Sequence, residues 1–190
     1  MSETVTILSP DAYLEMERRS LFKHEYYRGQ LVATTSAGNN HNIITGNLIG
    51  ALHPFLKEKP CTLYHSDMRL FIPDGTTYAY PDLMVVAGMK YFTDEKKDTI
   101  INPLLVIEVL ASSTEAYDRG EKFRKYRTIP TLHEYVMISS EKMNVEVYHK
   151  EDGHWLLSDS QSPEGTVHLE SIGYALALAD VYAQTEDLNE

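Results

Sequence analysis

The chain has one cysteine, Cys61, so no disulfide can form within it. A protein that dispenses with disulfides suits a reducing compartment. In an apolar strand context, Cys61 reads as a packing residue rather than a nucleophile. A membrane-spanning helix needs about 20 consecutive apolar residues, and no such run occurs. Met1-Ser2-Glu3-Thr4-Val5 lacks the basic stretch and apolar core of a secretory leader. No membrane partner is therefore expected, and the expected location is cytoplasmic. Zinc-type Cys/His spacing is also missing. His24, His53, His65, His133, His149, His154 and His168 form no ligand pattern and read as structural or surface residues. Strong bases are scarce, 17 against 28 acids, for a net charge of −11. A surface of that sign repels phosphate and disfavours a protein that coats nucleic acid non-specifically. There is no repeat, low-complexity stretch or linker, so residues 1–190 are expected to form one domain.

What is present alternates between helical and strand-like periodicity. Ser9-Pro10-Asp11 supplies an N-cap and a first-turn proline for a helix over Ala12–Arg19. Glu25-Tyr-Tyr and Gln30-Leu-Val flank Arg28-Gly29 as a hairpin. Ile44, Leu48, Leu52, Phe55 and Leu56 have helical spacing, which predicts a helix over Asn42–Lys57 with Pro54 near its end. Strands are expected at Cys61–His65, Met68–Ile72, Pro81–Ala87, Leu104–Leu110, Tyr135–Ser139, Val145–His149 and Trp155–Ser158. Ser112-Ser-Thr-Glu115 reads as a capping box for a helix over Glu115–Arg127, and Ala175–Ala183 as a short terminal helix. This order implies an α/β fold, a mixed β-sheet flanked by α-helices.

Two carboxylates stand out against their surroundings. Glu108 lies inside Pro103-Leu-Leu-Val-Ile-Glu-Val-Leu110, a run apolar enough for a strand covered on both faces. A charge there is costly unless paired, so a metal ligand or an acid/base group is expected. Asp82, in Tyr80-Pro-Asp-Leu83, is by itself an ordinary turn residue. Beside Glu108 on a neighbouring strand, it becomes the second oxygen ligand that a hard cation such as Mg²⁺ requires. Residue 110 faces the same way as Glu108 but is Leu110, so a cation must come from elsewhere. The next helix offers Asp118 and Lys122, four apart, with Tyr126 one turn further on. On spacing alone, Asp118 and Lys122 read as a surface ion pair. From Asp118 to Arg127 five bases face two acids, a local basic patch of +3 on an acidic chain.

Glu25-Tyr-Tyr-Arg-Gly-Gln-Leu-Val32, His41, Tyr80-Pro-Asp-Leu83, Ile107-Glu-Val-Leu-Ala-Ser-Ser-Thr114, Asp118, Lys122, Tyr126 and His133-Glu-Tyr135 together resemble the Uma-type restriction endonucleases. That family belongs to the PD-(D/E)XK nuclease superfamily. The resemblance runs from about Leu8 to His149 and implies a restriction endonuclease-like fold. It further implies an Mg²⁺-dependent endonuclease, with Mn²⁺ able to substitute, that hydrolyses DNA phosphodiester bonds and works as a homodimer. Carried over, Asp82 matches the PD aspartate and Glu108 the second carboxylate, and these two hold the metal with the Val109 carbonyl. The superfamily lysine two residues after Glu108 is replaced by Leu110; Lys122 matches the position to which it moves in this branch. Glu25, His41 and Asp118 match supporting positions. The net charge keeps open an alternative, a catalytically silent module that retains the nuclease fold for binding or regulation.

Overall fold

Ser9 and Pro10 open the first element as capping chemistry requires. Ser9 Oγ accepts the Ala12 N–H at 3.2 Å, and Pro10 takes a first-turn position where no N–H is needed. The computed structural model describes residues 8–34, 37–112 and 115–189. Helix α1 (Pro10–Glu17) leads into the hairpin of β1 (His24–Tyr27) and β2 (Gln30–Ala33), turned at Arg28 and Gly29, both at positive φ. Then come α2 (Asn39–Leu56), β3 (Cys61–His65), β4 (Arg69–Ile72), β5 (Thr77–Ala79), β6 (Leu83–Ala87), β7 (Thr99–Ile100) and β8 (Leu105–Leu110). A helical run follows in three pieces: α3 (Glu115–Tyr117), a π-helical segment (Asp118–Lys122) and α4 (Phe123–Tyr126). The remaining elements are β9 (Glu134–Ser139), β10 (Val145–Glu151), β11 (His154–Ser160), β12 (Thr166–Leu169), β13 (Tyr174–Ala177) and α5 (Leu178–Val181).

The principal sheet has six strands in the order β11-β10-β9-β8-β6-β3, antiparallel except at the β8–β9 pair. The helical run between β8 and β9 is the crossover that a parallel pair needs. Every residue of β8 is buried, as its continuous apolar run requires in a strand covered on both faces. On one face, Leu105, Ile107 and Val109 pack with Ile44, Leu48, Leu52 and Leu56 of α2 and with Leu176, Leu178 and Val181. On the other, Val106 and Leu110 pack with Phe123 and Tyr126 of α4 and with Leu70, Ile72 and Ala79. A second sheet, β2-β1-β5-β4-β7, lies against α1 through Tyr13, Leu14, Tyr26 and Tyr78. The architecture is thus the mixed α/β arrangement expected. Among the described residues, no helix is long and apolar enough to cross a membrane.

Three expectations need correction, and part of a fourth lies outside the described residues. Ala175–Ala183 is not one helix. Tyr174–Ala177 pairs antiparallel with β12, and only Leu178–Val181 is helical. Gly173, at φ 66°, makes the turn, and the hairpin buries Leu176. The helix over Glu115–Arg127 is interrupted by the π-helical turn. The second helix begins at Asn39, three residues early, because Gly38 in extended conformation starts it without a side-chain cap. Of the expected capping box, residues 113 and 114 fall outside the described residues.

An arginine pair ties α1 to the second sheet. Arg18 donates to both carboxylate oxygens of Asp98 at 2.7 and 3.0 Å, and Arg69 Nη2 lies 2.6 Å from the same group. Partial burial alone raises the Asp98 pKa, but the two guanidiniums outweigh it and hold the carboxyl well below the usual range. A depressed folded-state pKa gives stability that is present above the unfolded value near ~4 and is lost as pH falls below it. Asp98→Asn should therefore lower stability at pH 7 by roughly 1–2 kcal/mol, after allowance for solvent screening. It should also flatten the decline below about pH 4. Thermal melts from pH 7 to pH 2.5 would show this. Parallel wild-type and variant curves would refute it.

Candidate active site

The sheet register places the two carboxylates. In the antiparallel β6–β8 pair Leu83 stands opposite Ile107, so one step further along Asp82 meets Glu108. Pro81 keeps Asp82 just outside the strand, where its side chain is free to turn. Asp82 Oδ2 accepts the Val109 N–H at 2.8 Å, and Oδ1 lies 3.1 Å from His41 Nε2 on α2. Sheet and helix together therefore fix the orientation of this carboxylate.

Glu108 points to the opposite layer. Its Oε1 accepts the Tyr126 hydroxyl at 2.7 Å and lies 2.9 Å from Lys122 Nζ. The Lys122 ammonium also stands 3.3 Å from Asp118 Oδ1 and 3.7 Å from Glu25 Oε1. Asp118 and Lys122 are both buried, which rules out the surface ion pair. The π-helical turn that carries them is a feature common at functional sites. Glu25 is held in turn by the Tyr80 N–H at 3.2 Å and by the Tyr27 hydroxyl. One ammonium thus serves three carboxylates, with Asp82 close behind. Burial raises the Glu108 pKa to about 8, Asp82 and Asp118 add to the rise, and Lys122 opposes it. Burial also raises Asp82, against the lowering effects of His41 and the Val109 N–H. Burial pushes the Lys122 ammonium down, but Glu108, Glu25, Tyr126 and Asp118 outweigh it, so the amine stays protonated.

The residues open onto one cleft of about 400 Å³. Asp82, Glu108, Val109, Asp118, Lys122, Glu25 and His41 all line it, so the seven candidate site residues come to one place; Tyr126 does not line the cleft and reaches it only through Glu108. Among the described residues, no three His, Cys, Asp or Glu side chains are arranged to hold a metal ion. A hard divalent ion needs fewer, one or two carboxylates with water and substrate oxygens completing the shell. The donor chemistry fits that: hard oxygens on Asp82 and Glu108, both lining the cleft. Burial is what raises both carboxyls, and a bound cation would favour their charged forms.

The basic patch of the crossover does not survive as a free cationic face. Lys122 is buried, and Arg119 pairs with Glu115 and Glu146. Arg124 pairs with Glu121 at 2.8 Å, Lys125 lies over the Tyr27 ring, and Arg127 over Phe123. Among the other histidines, His24 contacts Glu17 at 2.9 Å and His149 contacts Glu134 at 3.2 Å, both structural pairings. Sequence reasoning missed Glu17 and the supporting role of Tyr80. Glu17 is buried and accepts the Tyr80 hydroxyl at 3.0 Å, which steadies the residue two before Asp82. A carboxylate four residues after Tyr13, on the inward face of α1, was the available signal.

Comparisons with known proteins bear on the family and the fold. The sequence profile of the Uma2 family, described as "Putative restriction endonuclease", matches residues 10–179. Two uncharacterised proteins of Synechocystis sp. are each 38% identical to the chain. One, slr1290, aligns over 92% of this chain and 91% of its own length; the other, sll1609, over 82% and 89%. A crystal structure described as a putative nuclease belonging to DUF820, from Anabaena variabilis, superposes with a TM-score of 0.74 at 15% identity. It covers 91% of this chain and 96% of its own. At that identity the likeness is one of fold.

Proposed function

Because the chain belongs to the Uma2 family of restriction endonuclease-like proteins, we propose that it is a metal-dependent endonuclease that hydrolyses DNA phosphodiester bonds at the Asp82–Glu108–Lys122 cleft. The observation that carries this reading is Glu108: a buried carboxylate in a central strand, opposite Asp82 and 2.9 Å from the Lys122 ammonium. Such a group is expensive to keep for structure alone.

Asp82 and Glu108, with the Val109 carbonyl, would hold Mg²⁺, or Mn²⁺ in its place. When bound, the ion supplies Lewis-acid polarisation of the phosphate and a water acidic enough to yield hydroxide near neutrality. The protein's own groups do the positioning. Tyr126 Oη and Lys122 Nζ fix Glu108 Oε1, while the Val109 N–H and His41 fix Asp82. Lys122 Nζ, kept protonated by its carboxylates, orients the attacking water and offsets charge developing on the phosphate oxygens. Glu25 and Asp118 hold that ammonium in place. By family likeness the working assembly is a homodimer, and the cytoplasm is where such a substrate is met.

Mg²⁺ or Mn²⁺ should support nicking of supercoiled plasmid by the purified chain, with none in EDTA. Calorimetric titration of Mn²⁺ with and without short duplex DNA separates this from the silent-module reading. Metal binding without nicking or DNA affinity at low salt would favour the module.

A further inference from the structure

A second chamber, of about 610 Å³, opens beside the cleft. The two share Val32 and Tyr117 in their walls, so a chain lying in one runs into the other. Its character is different. Where the first is walled by several carboxylates, the second has one, Glu121, 3.7 Å from Lys125, beside two tyrosine rings, Tyr27 and Tyr117, meeting edge to face with centroids 5.8 Å apart. Lys125 Nζ sits 3.6 Å from the Tyr27 ring centroid and donates to the Tyr117 hydroxyl at 3.1 Å. The hydrogen bond from Tyr27 to Glu25 ties this aromatic wall to the catalytic cluster. Gln30 and Thr77 add amide and hydroxyl groups to the lining. The volume is that of a small-ligand site, about 300–1,000 Å³, with room for one nucleoside.

The charge of the molecule points the same way. Binding to a duplex backbone draws on many free cations, each phosphate contact releasing a counterion. This chain carries −11 overall, and the bases of its crossover helix are paired with acids or laid over rings. What remains beside the cleft is aromatic surface with one or two cations, the equipment for holding an unpaired base by stacking.

We infer that the Tyr27–Tyr117 chamber receives an unpaired base adjoining the phosphate in the cleft, so that the substrate is a single-stranded or frayed DNA strand rather than intact duplex. The inference rests on the nuclease reading for the position of the phosphate. A binding measurement made without metal nevertheless tests it separately.

The full chain, in EDTA so that nothing is cut, is titrated against a 12-nucleotide single strand carrying 2-aminopurine and against the same strand in blunt duplex. The expected result is a saturable change in 2-aminopurine emission on the single strand, with affinity about 10-fold or more above that for duplex. Stacking on one side chain has that order of effect. Few phosphate contacts also imply a shallow salt dependence, a log–log slope of about −1 to −2. Tyr117→Ala should weaken single-strand binding by about 10-fold and Tyr117→Phe should not. Val32→Glu, on an exposed edge strand and safe for folding, places a negative charge at the junction and should weaken it as well. Equal affinity for both forms, no binding to either, or binding indifferent to Tyr117→Ala and Val32→Glu would overturn the proposal. Base stacking without Mn²⁺-dependent cleavage of that single strand or of supercoiled plasmid would instead sink the nuclease reading and leave the chamber assigned.

Discussion

Glu108→Ala should reduce Mn²⁺-supported nicking by about 10³-fold or more, the loss expected when a charged group that organises a reacting phosphate is removed. Glu108 contributes in two ways. It is a hard oxygen donor opposite Asp82, and its Oε1 is the nearest carboxylate oxygen to Lys122 Nζ, at 2.9 Å. Removing it weakens both the site for the ion and the placement of the amine. Glu108→Gln is the sharper variant, because it keeps the volume in the covered strand and can still accept the Tyr126 hydroxyl. Plasmid nicking should fall to background in both variants while circular dichroism and melting show a folded protein. Wild-type rates from either would end the assignment of this carboxylate.

The second large effect concerns stability. Lys122 is buried among Glu108, Asp118 and Glu25. Lys122→Met keeps the length of the side chain and deletes the only ammonium that these groups share among the described residues. Leaving buried charge without its partner costs about 3–5 kcal/mol, on the order of 10 °C in Tm for a chain of this size. The pH dependence supplies a signature. Burial raises the Glu108 pKa above its unfolded value, and removing the ammonium that opposes the rise raises it further. The penalty is then largest above the raised pKa and shrinks as pH falls towards the unfolded value near ~4.3. Lys122→Met should therefore be far less stable than wild type at pH 8 and regain much of the difference at pH 5.5. Lys122→Met combined with Glu108→Gln should recover part of the loss at pH 8, a coupling visible in a double-mutant cycle. A Lys122→Met protein melting like wild type at pH 8 would mean the cluster is not held by that charge.

The parts of this site that could be read from the sequence are those where one residue contradicts its neighbourhood. Glu108 interrupts an apolar strand, and burial physics alone makes it suspect. Asp82 has no such contrast, and only the register of β6 against β8 turns a turn residue into a partner. For Lys122, four-residue spacing from Asp118 favoured a solvated face, and the outcome depended on which side of the crossover meets the sheet. Family resemblance picked out Lys122 before burial could. Tyr27 and Tyr117 were unreadable as a pair, because they lie on a hairpin and a helix about 90 residues apart and meet only through tertiary packing. The same limit explains β13. Its alanines and leucine suit a helix locally, and the hairpin forms because β12 is there to pair with it. The basic patch failed for a related reason: counting charge along the chain does not register Glu146, which comes from another strand to meet Arg119.

Asn47, on the helix that also carries His41, donates to the carbonyls of Val181 and Ala183 at 3.0 and 2.8 Å, and Asn40 donates to Glu186. The core beneath them joins Ile44–Leu56 to Leu176–Tyr182, segments separated by most of the chain. Contacts of such long sequence separation form late. Helix α2 already has β8 beneath it, so this late contact acts as a latch at its rim, on the same helix whose His41 holds Asp82. Loosening the Asn47 latch would therefore be felt at Asp82, although neither Val181 nor Ala183 lines the cleft.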